Sequence, residues 1–200
     1  MNFRLAPLTV LALCFTATAQ TQHKPTTPPA SKPSDDSQLY SNATFGFRYR
    51  IPYGWVERTK EMQEGNDAAK GEVLLAIFER PPQAAGDTIN AAVVIAAENA
   101  AAYPGLKKAE DYLGPLTELT TSKGFKADGN PSIVEINSRP LVRADFVKPL
   151  NDKLTMRQST FVLLARGQIV SFTFLAGSED EVEQALAGLS FTAKGAPARP

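Results

Sequence analysis

The sequence predicts an α+β fold built around an antiparallel sheet. Segments of strand length and segments of helical spacing occur in separate runs along the 200 residues and do not alternate one by one. Segregated runs are typical of α+β folds, whereas alternating strand and helix units are typical of parallel sheets. Two continuous apolar runs, residues 73–78 and 89–97, have the length of strands. Such runs indicate strands that are covered on both faces.

The first strand is predicted at residues 45–51, where aromatic or aliphatic residues alternate with small or charged ones. A Pro-Tyr-Gly sequence at 52–54 ends this strand with residues typical of turns, and Trp55 begins the next segment. Residues 57–70 are polar and fit either a short helix or a loop. The two apolar runs follow as strands.

A helix is predicted at residues 106–123, where apolar residues recur every three or four positions. Gly124 is suited to the left-handed position that often follows a helix end. Pro115 interrupts the pattern, because proline removes a helical hydrogen bond and kinks or restarts the helix. We therefore expect a break near Leu113.

The second half of the chain predicts four strands joined as antiparallel hairpins. An Asn-Ser pair at 137–138 connects the first two strands, and Arg166-Gly167 connects the last two. Glycine in this position supplies the positive φ that a tight hairpin turn requires. The predicted strands are residues 133–136, 140–147, 154–165 and 168–175.

Ser178 and Glu181 predict the start of a terminal helix. In a capping box the serine hydroxyl accepts the N–H three residues later, and the glutamate reaches back to the serine N–H. Apolar residues follow at helical spacing from Val182 to Leu189. The acidic residues at 179–183 are explained by this helix, since negative charge in the first turn complements the helix dipole.

Residues 1–19 match a secretory signal peptide. Arg4 supplies a positive charge, residues 5–15 form an apolar stretch of the usual length, and small residues precede the expected cleavage between Ala19 and Gln20. The stretch is too short for a membrane anchor, since a transmembrane helix needs about 20 apolar residues. The sequence therefore predicts an exported protein, periplasmic or extracellular, without a transmembrane span.

The alternative to secretion in free form is a lipid anchor at Cys14. Residues 11–14 resemble a lipoprotein attachment box, but Leu13 occupies the position before the cysteine where that reaction favours a small residue. We therefore do not expect lipidation. If cleavage follows Ala19, the mature chain has no cysteine and depends on its core for stability in an oxidising compartment.

Three segments follow the signal peptide. Residues 20–38 are rich in proline, threonine and serine, a composition that predicts a disordered linker, and they contain the only histidine, His23. Residues 39–192 are the expected globular domain. Residues 193–200 are rich in alanine, glycine and proline and predict a flexible tail.

The composition excludes several classes of function. With 21 basic and 21 acidic residues, the chain lacks the basic excess expected of a nucleic-acid binder. A mature chain without cysteine, with its histidine on a linker, has no thiol nucleophile, no Ser-His-Asp triad and no histidine or thiolate zinc site. The glycine motifs that bind nucleotides are absent from the sequence. We therefore expect no cofactor and assign no catalytic residue.

Carboxylates are the remaining candidates for chemistry. Asp145 lies on a predicted strand with Arg143 two residues away on the same face. Such a pair is typical of a structural ion pair on a sheet, although carboxylates also hydrolyse glycosides or bind hard cations. Arg143 and Asp145 are therefore kept as candidates for a binding surface.

Tyr53 and Trp55 are the second candidate surface. Most other aromatic residues near the start of the domain are explained by the core face of the first strand. These two flank a turn instead, and they fit either a wedge that closes the edge of the sheet or the wall of a groove. Aromatic residues are common in both settings.

The start and the end of the domain resemble PsbP-like domains. The resemblance rests on Y-x-N-x-x-F-G-F at residues 40–47, I-P-x-G-W at 51–55, and a long hairpin, an acidic-capped helix and L-S-F at 189–191. The superfamily also includes a nuclear-import factor that binds the Ran GTPase and small bacterial envelope proteins. The resemblance implies an α/β/α sandwich, in which helices cover both faces of a central, mainly antiparallel sheet.

Two functions stay open on the sequence. Members of this superfamily mostly bind or stabilise protein partners, so the resemblance implies a non-enzymatic accessory or binding domain whose partner is an envelope protein. The alternative is a carboxylate-based enzyme or a small-ligand binder that uses a pocket near Trp55.

Overall fold

Two antiparallel sheets organise the computed structural model, which describes residues 38–64, 71–81 and 86–192. The signal peptide, the cleavage position, Cys14, nearly all of the linker and the tail lie outside the described residues, so they stay predictions. Within the described part, no helix is long and apolar enough to cross a membrane. The strands there are β1 (Leu39–Asn42), β2 (Phe47–Arg50), β3 (Val56–Glu57), β4 (Gly71–Phe78), β5 (Ala92–Asn99), β6 (Lys126–Ala127), β7 (Ser132–Ile136), β8 (Arg139–Pro149), β9 (Thr155–Ala165), β10 (Gln168–Ala176) and β11 (Leu189–Phe191).

Three α-helices accompany these strands in the described residues. They are α1 (Thr59–Glu64), α2 (Leu113–Ser122) and α3 (Glu179–Leu186), and short 3-10 helices occur at Ala100–Ala102 and Ala109–Tyr112. The large sheet has the order β3-β4-β5-β10-β9-β8-β6, with β7 also paired to β8. The small sheet has the order β1-β2-β11. A mainly antiparallel α+β fold, as the sequence predicts, is therefore confirmed.

The two predicted hairpin turns are confirmed. Asn137 and Ser138 have φ of 50° and 62°, and Arg166 and Gly167 have φ of 53° and 74°. Two successive residues with positive φ match the right-handed twist of the strands that they join. Strands β7 and β8 therefore pair from Ile136 opposite Arg139, and β9 and β10 pair from Ala165 opposite Gln168.

The predicted break near Leu113 is also found. A 3-10 helix ends at Tyr112 and α2 begins at Leu113, which places Pro115 in the first turn of α2, where its missing N–H is tolerated. Gly124 follows the end of α2 with φ of 86°. The carboxylate of Asp111 accepts hydrogen bonds from the backbone N–H groups of Lys107 and Lys108, and these bonds hold its pKa below the usual value.

The small sheet is an addition that the sequence does not predict. The strand predicted at 45–51 is confined to Phe47–Arg50, because residues 42–46 form a turn in which the Asn42 carbonyl accepts the Gly46 N–H at 2.9 Å. Before this turn lies β1, and β11 pairs on the other side of β2. Neither β1 nor β11 is among the strands that the sequence predicts. The pairing of β11 with β2 joins residues that are far apart in the chain, which local periodicity does not reveal.

The large sheet is covered on both faces by separate apolar cores. The first core joins Phe172 and Phe174 of the sheet to Phe47 of the small sheet and Val182 of α3. The second core joins Val162 and other sheet residues to the Ala109–Tyr112 helix and α2. Because a second sheet forms much of one covering layer, the full α/β/α sandwich with helices on both faces stays a prediction.

Candidate functional site

A groove of about 290 Å³ lies beside Trp55. The half-buried indole packs against the first core and also lines this groove, whereas Tyr53, in the same turn, is 89% exposed. The interpretation of Tyr53 as a wedge against the sheet is therefore wrong. We call residues 52–55 the aromatic turn. The residues that line the groove are Pro52, Trp55, Glu79, Ala91, Glu181, Gln184 and Ala185.

Two carboxylates line the Trp55 groove, and one of them is hydrogen-bonded to the backbone at the start of α3. The Glu181 carboxylate accepts the backbone N–H groups of Gly177 and Ser178 at 2.8 and 3.2 Å. The Ser178 hydroxyl accepts the Glu181 N–H, which completes the predicted capping box. Glu79 makes longer contacts, at 3.4 Å to the Ala91 N–H and 3.9 Å to Arg80. Glu79 is therefore the less firmly held of the two carboxylates in this groove.

Arg143 and Asp145 form the ion pair that the sequence predicts, and the structure adds a third member. The Nε atom of Arg143 donates to both carboxylate oxygens of Asp145, at 3.0 and 2.9 Å. Its Nη1 atom donates to Glu183 of α3 at 2.7 Å. One guanidinium group therefore binds two carboxylates, one on its own strand and one on the helix that covers the sheet.

Neighbouring groups fix this cluster further. The buried Ser159 hydroxyl donates to the Asp145 carboxylate, and the Arg143 guanidinium lies 5.3 Å from the centre of the Phe161 ring. Burial alone lowers the pKa of Arg143, but the hydrogen bonds with Glu183 and Asp145 outweigh it and raise that pKa above its usual value. Arg143 is thus a permanent cation, and its single charge is shared between both carboxylates. The cluster holds α3 on β8 and β9.

A recess of about 210 Å³ lies next to the Arg143 cluster. Its wall also contains Arg157, which pairs with Asp128 at 3.1 Å. Asp128, Asp145 and Arg143 are therefore all engaged by opposite charges inside the protein. In the described residues, no three histidine, cysteine or acidic side chains converge in a way that could hold a metal ion.

A third polar cluster was not expected from the sequence. The buried Tyr112 hydroxyl donates to Glu98 at 2.7 Å, and the Tyr103 hydroxyl donates to the other oxygen of the same carboxylate. The two phenol rings meet edge to face at 5.2 Å. Glu98 lies near the end of β5, while the tyrosines flank a loop. The sole sequence signal was a pair of tyrosines near a helix start, which does not identify their shared acceptor.

The tyrosine cluster predicts a loss of stability in alkali. Burial and the hydrogen bond to Glu98 raise the pKa of Tyr103 to about 12, and the same causes raise the pKa of Tyr112 further. A raised phenol pKa contributes stability that is complete below pH 10 and is lost as the pH rises towards 12. The Tyr103→Phe variant should therefore lose unfolding free energy less steeply than the unaltered chain as the pH rises above 10.

This expectation is checked with urea unfolding at several pH values between 8 and 12. The Tyr53→Phe variant is the matched control, because that phenol is exposed and takes no part in the hydrogen bonds or the ring contact of the cluster. Equal slopes for Tyr103→Phe and the unaltered chain would contradict the linkage between Tyr103 ionisation and folding.

Comparison with protein-family models and with curated protein sequences found no match. Comparison with solved structures found a cyanobacterial PsbP from Synechocystis, at 16% identity and a TM-score of 0.49, with 82% of this chain and 100% of that chain covered. LpqN of Mycobacterium tuberculosis, described as involved in cell envelope biogenesis, matches at 15% identity and a TM-score of 0.45, with coverage of 78% and 90%. The Saccharomyces cerevisiae Ran-binding protein Mog1p matches at 11% identity and a TM-score of 0.44, with coverage of 80% and 87%. The chain is thus similar to PsbP-like and Mog1 structures, as the sequence resemblance predicts, and the likeness is one of fold alone.

Proposed function

We propose that this chain is a non-enzymatic accessory or binding domain that is exported, periplasmic or extracellular, and binds an envelope protein. In this proposal, residues 1–19 are removed as a signal peptide, no lipid is attached at Cys14, and residues 20–38 act as a linker. The binding surface is the aromatic turn with the groove beside Trp55. The observation that carries the proposal is the 89% exposure of Tyr53 in the turn whose Pro52 and Trp55 line this groove.

An exposed tyrosine beside a half-buried tryptophan has the composition of a protein-binding surface. Tyrosine and tryptophan are enriched among the residues that contribute most to binding energy, because each buries a large area with few rotatable bonds. Apolar atoms of Pro52, Ala91 and Ala185 also line the groove. Glu79 and Glu181 add negative charge to it. The expected contact on the partner is an apolar side chain next to a lysine or arginine.

The alternative function is a carboxylate-based enzyme or small-ligand binder, and one observation favours it: Glu79 and Glu181 line the same groove. Glycoside hydrolysis requires two carboxyl groups, one as acid and one as base or nucleophile. Glu181 is held by two backbone N–H groups at the start of α3, so it serves the helix. Asp145 and Glu183 are held by Arg143. The described carboxylates therefore support binding better than acid–base catalysis.

Site-specific photo-crosslinking in the native envelope tests the proposal. A photoreactive amino acid replaces Tyr53 in one variant and Leu119 in a matched control, since Leu119 is 53% exposed on α2 in the second core layer. We expect a defined protein adduct from position 53 that is absent from position 119. Recovery of a bound metabolite without a protein adduct would favour the small-ligand alternative. Equal adducts from both positions would contradict a specific surface at the aromatic turn.

A further inference from the structure

Strand β7 forms an edge of the large sheet and is paired only to β8 among the described strands. The two-residue turn at 137–138 makes Ile136 and Arg139 the first hydrogen-bonded pair, so the pattern alternates from there. The N–H and C=O groups of Glu135 and Ile133 consequently face away from β8. No hydrogen bond from these four groups to another described residue is present.

The opposite end of the large sheet is covered by a helix. There α1 lies along β4, and its side chains bind the strand's outer backbone groups. The Thr59 hydroxyl accepts the Ala76 N–H at 3.0 Å, and the Gln63 amide donates to the Val73 carbonyl at 2.7 Å. Natural proteins commonly cover or charge their edge strands, because an open edge pairs readily with another strand. In the described chain β4 has such a cover, and β7 does not.

An apolar groove of about 320 Å³ lies beside this open edge. Ile133, which is 64% exposed, forms one wall, and Lys108 and Glu110 stand at the rim. The other lining residues are Ala109, Pro140, Leu141, Val142, Leu163 and Leu164. The edge therefore offers backbone hydrogen bonds together with an apolar surface, which is the combination used in recognition by strand addition.

We propose that the occupant of this edge is a second copy of the chain, whose β7 pairs antiparallel to the first across a twofold axis at Val134. In this register Ile133 lies opposite the partner's Glu135, and the outward groups of the two strands make four hydrogen bonds. The interface is self-complementary, as a twofold dimer requires. The partner's Glu135 falls on the side of the sheet where Lys108 and Glu110 line the groove. In this proposal its carboxylate pairs with the exposed Lys108 and not with the half-buried Glu110, and the twofold axis repeats this pair.

Neighbouring registers are disfavoured by the sequence. A twofold axis at Glu135 places two carboxylates directly opposite each other, and like charges in that position are destabilising. An axis at Ile133 sets Glu135 against the partner's Pro131, which has no N–H to donate. The register at Val134 avoids both problems. With four hydrogen bonds and a single pair of strands, the dimer is expected to be reversible and dependent on concentration.

Sedimentation of the full mature chain over a range of concentrations tests this proposal. The first variant is Ile133→Pro, which removes an outward N–H without removing a bond between β7 and β8, since proline is tolerated on the open side of an edge strand. We expect the unaltered chain to pass from monomer to dimer and the variant to remain monomeric. At concentrations where both chains are monomeric, their urea midpoints should be equal. A monomer at every concentration, or a dimer that survives Ile133→Pro, overturns the proposal.

An exchange of charges provides a second test that does not depend on proline. Glu135→Lys should weaken the dimer several-fold, because the introduced ammonium group would face the partner's Lys108, and adding Lys108→Glu should restore it. A double variant that dimerises as weakly as the single variant overturns the register. The Tyr53→Ala variant should dimerise normally, because Tyr53 is not part of the β7 edge. The dimer proposal and the proposed partner surface can therefore fail independently of each other.

Discussion

The Phe172→Ala variant is expected to lose about 4 kcal/mol of unfolding free energy, the largest effect of any single change considered. Phe172 is fully buried, and its ring meets those of Phe47 and Phe191 at 5.0 and 5.7 Å. It therefore joins the large sheet to two strands of the small sheet. Urea unfolding followed by the fluorescence of Trp55, the only tryptophan in the chain, measures the loss.

Two control variants separate this cavity effect from a general effect of substitution. Phe172→Leu retains most of the apolar volume and should cost about 1.5 kcal/mol or less. Tyr53→Ala removes an exposed ring and should change stability by about 0.5 kcal/mol at most. A similar cost for Phe172→Ala and Tyr53→Ala would show that the contact between the sheets does not determine stability.

The Arg143→Ala variant is expected to cost about 2–3 kcal/mol, below the range for fully buried pairs because Asp145 and Glu183 are partly exposed. Its loss leaves Asp145 with Ser159 as its remaining side-chain partner among the described residues, and it releases Glu183 of α3. Arg143→Lys should recover little of this stability, since an ammonium group cannot bind both carboxylates in the geometry of the planar guanidinium. Urea unfolding measures all three chains.

The matched control for Arg143 is Arg157→Ala. Arg157 forms a single, more exposed pair with Asp128, and exposed pairs contribute about 0–1 kcal/mol. A double-mutant cycle between Arg143→Ala and Glu183→Gln then isolates the bond from sheet to helix. Full additivity in that cycle, or equal costs for the two arginines, would contradict the role of Arg143 in holding α3.

Local chemistry explains why many elements were predictable from the sequence. Three signals act within a few residues, so their structural effects are visible in the sequence alone. They are glycine in a two-residue turn, proline after a helical break, and the capping pair Ser178 and Glu181. The spacing of Arg143 and Asp145 likewise placed both on one face of a strand, and the structure joins them. The sequence predicts a pocket near Trp55, but it does not identify the other residues that line the groove.

Contacts between distant segments explain what was not predictable. The small sheet forms because β2 pairs with β11, about 140 positions later, and no local pattern in four residues identifies that register. The bond from Arg143 to Glu183 also depends on where α3 lies on the sheet. On the sequence, the helix dipole explains Glu183, and that explanation does not include its partner Arg143. Glu98 has the sequence context of an ordinary polar residue near the end of a strand.

The affinity of the crosslinked partner for the purified domain tests the central claim most directly, since that claim is binding through the aromatic turn. Three chains are compared by calorimetry: the unaltered domain, Tyr53→Ala and the control Leu119→Ala. Trp55 is left unchanged because its indole supports the first core. We expect Tyr53→Ala to weaken binding about tenfold or more, as exposed aromatic anchors do, and Leu119→Ala to leave it unchanged. Equal affinity of all three chains for the partner would contradict the account.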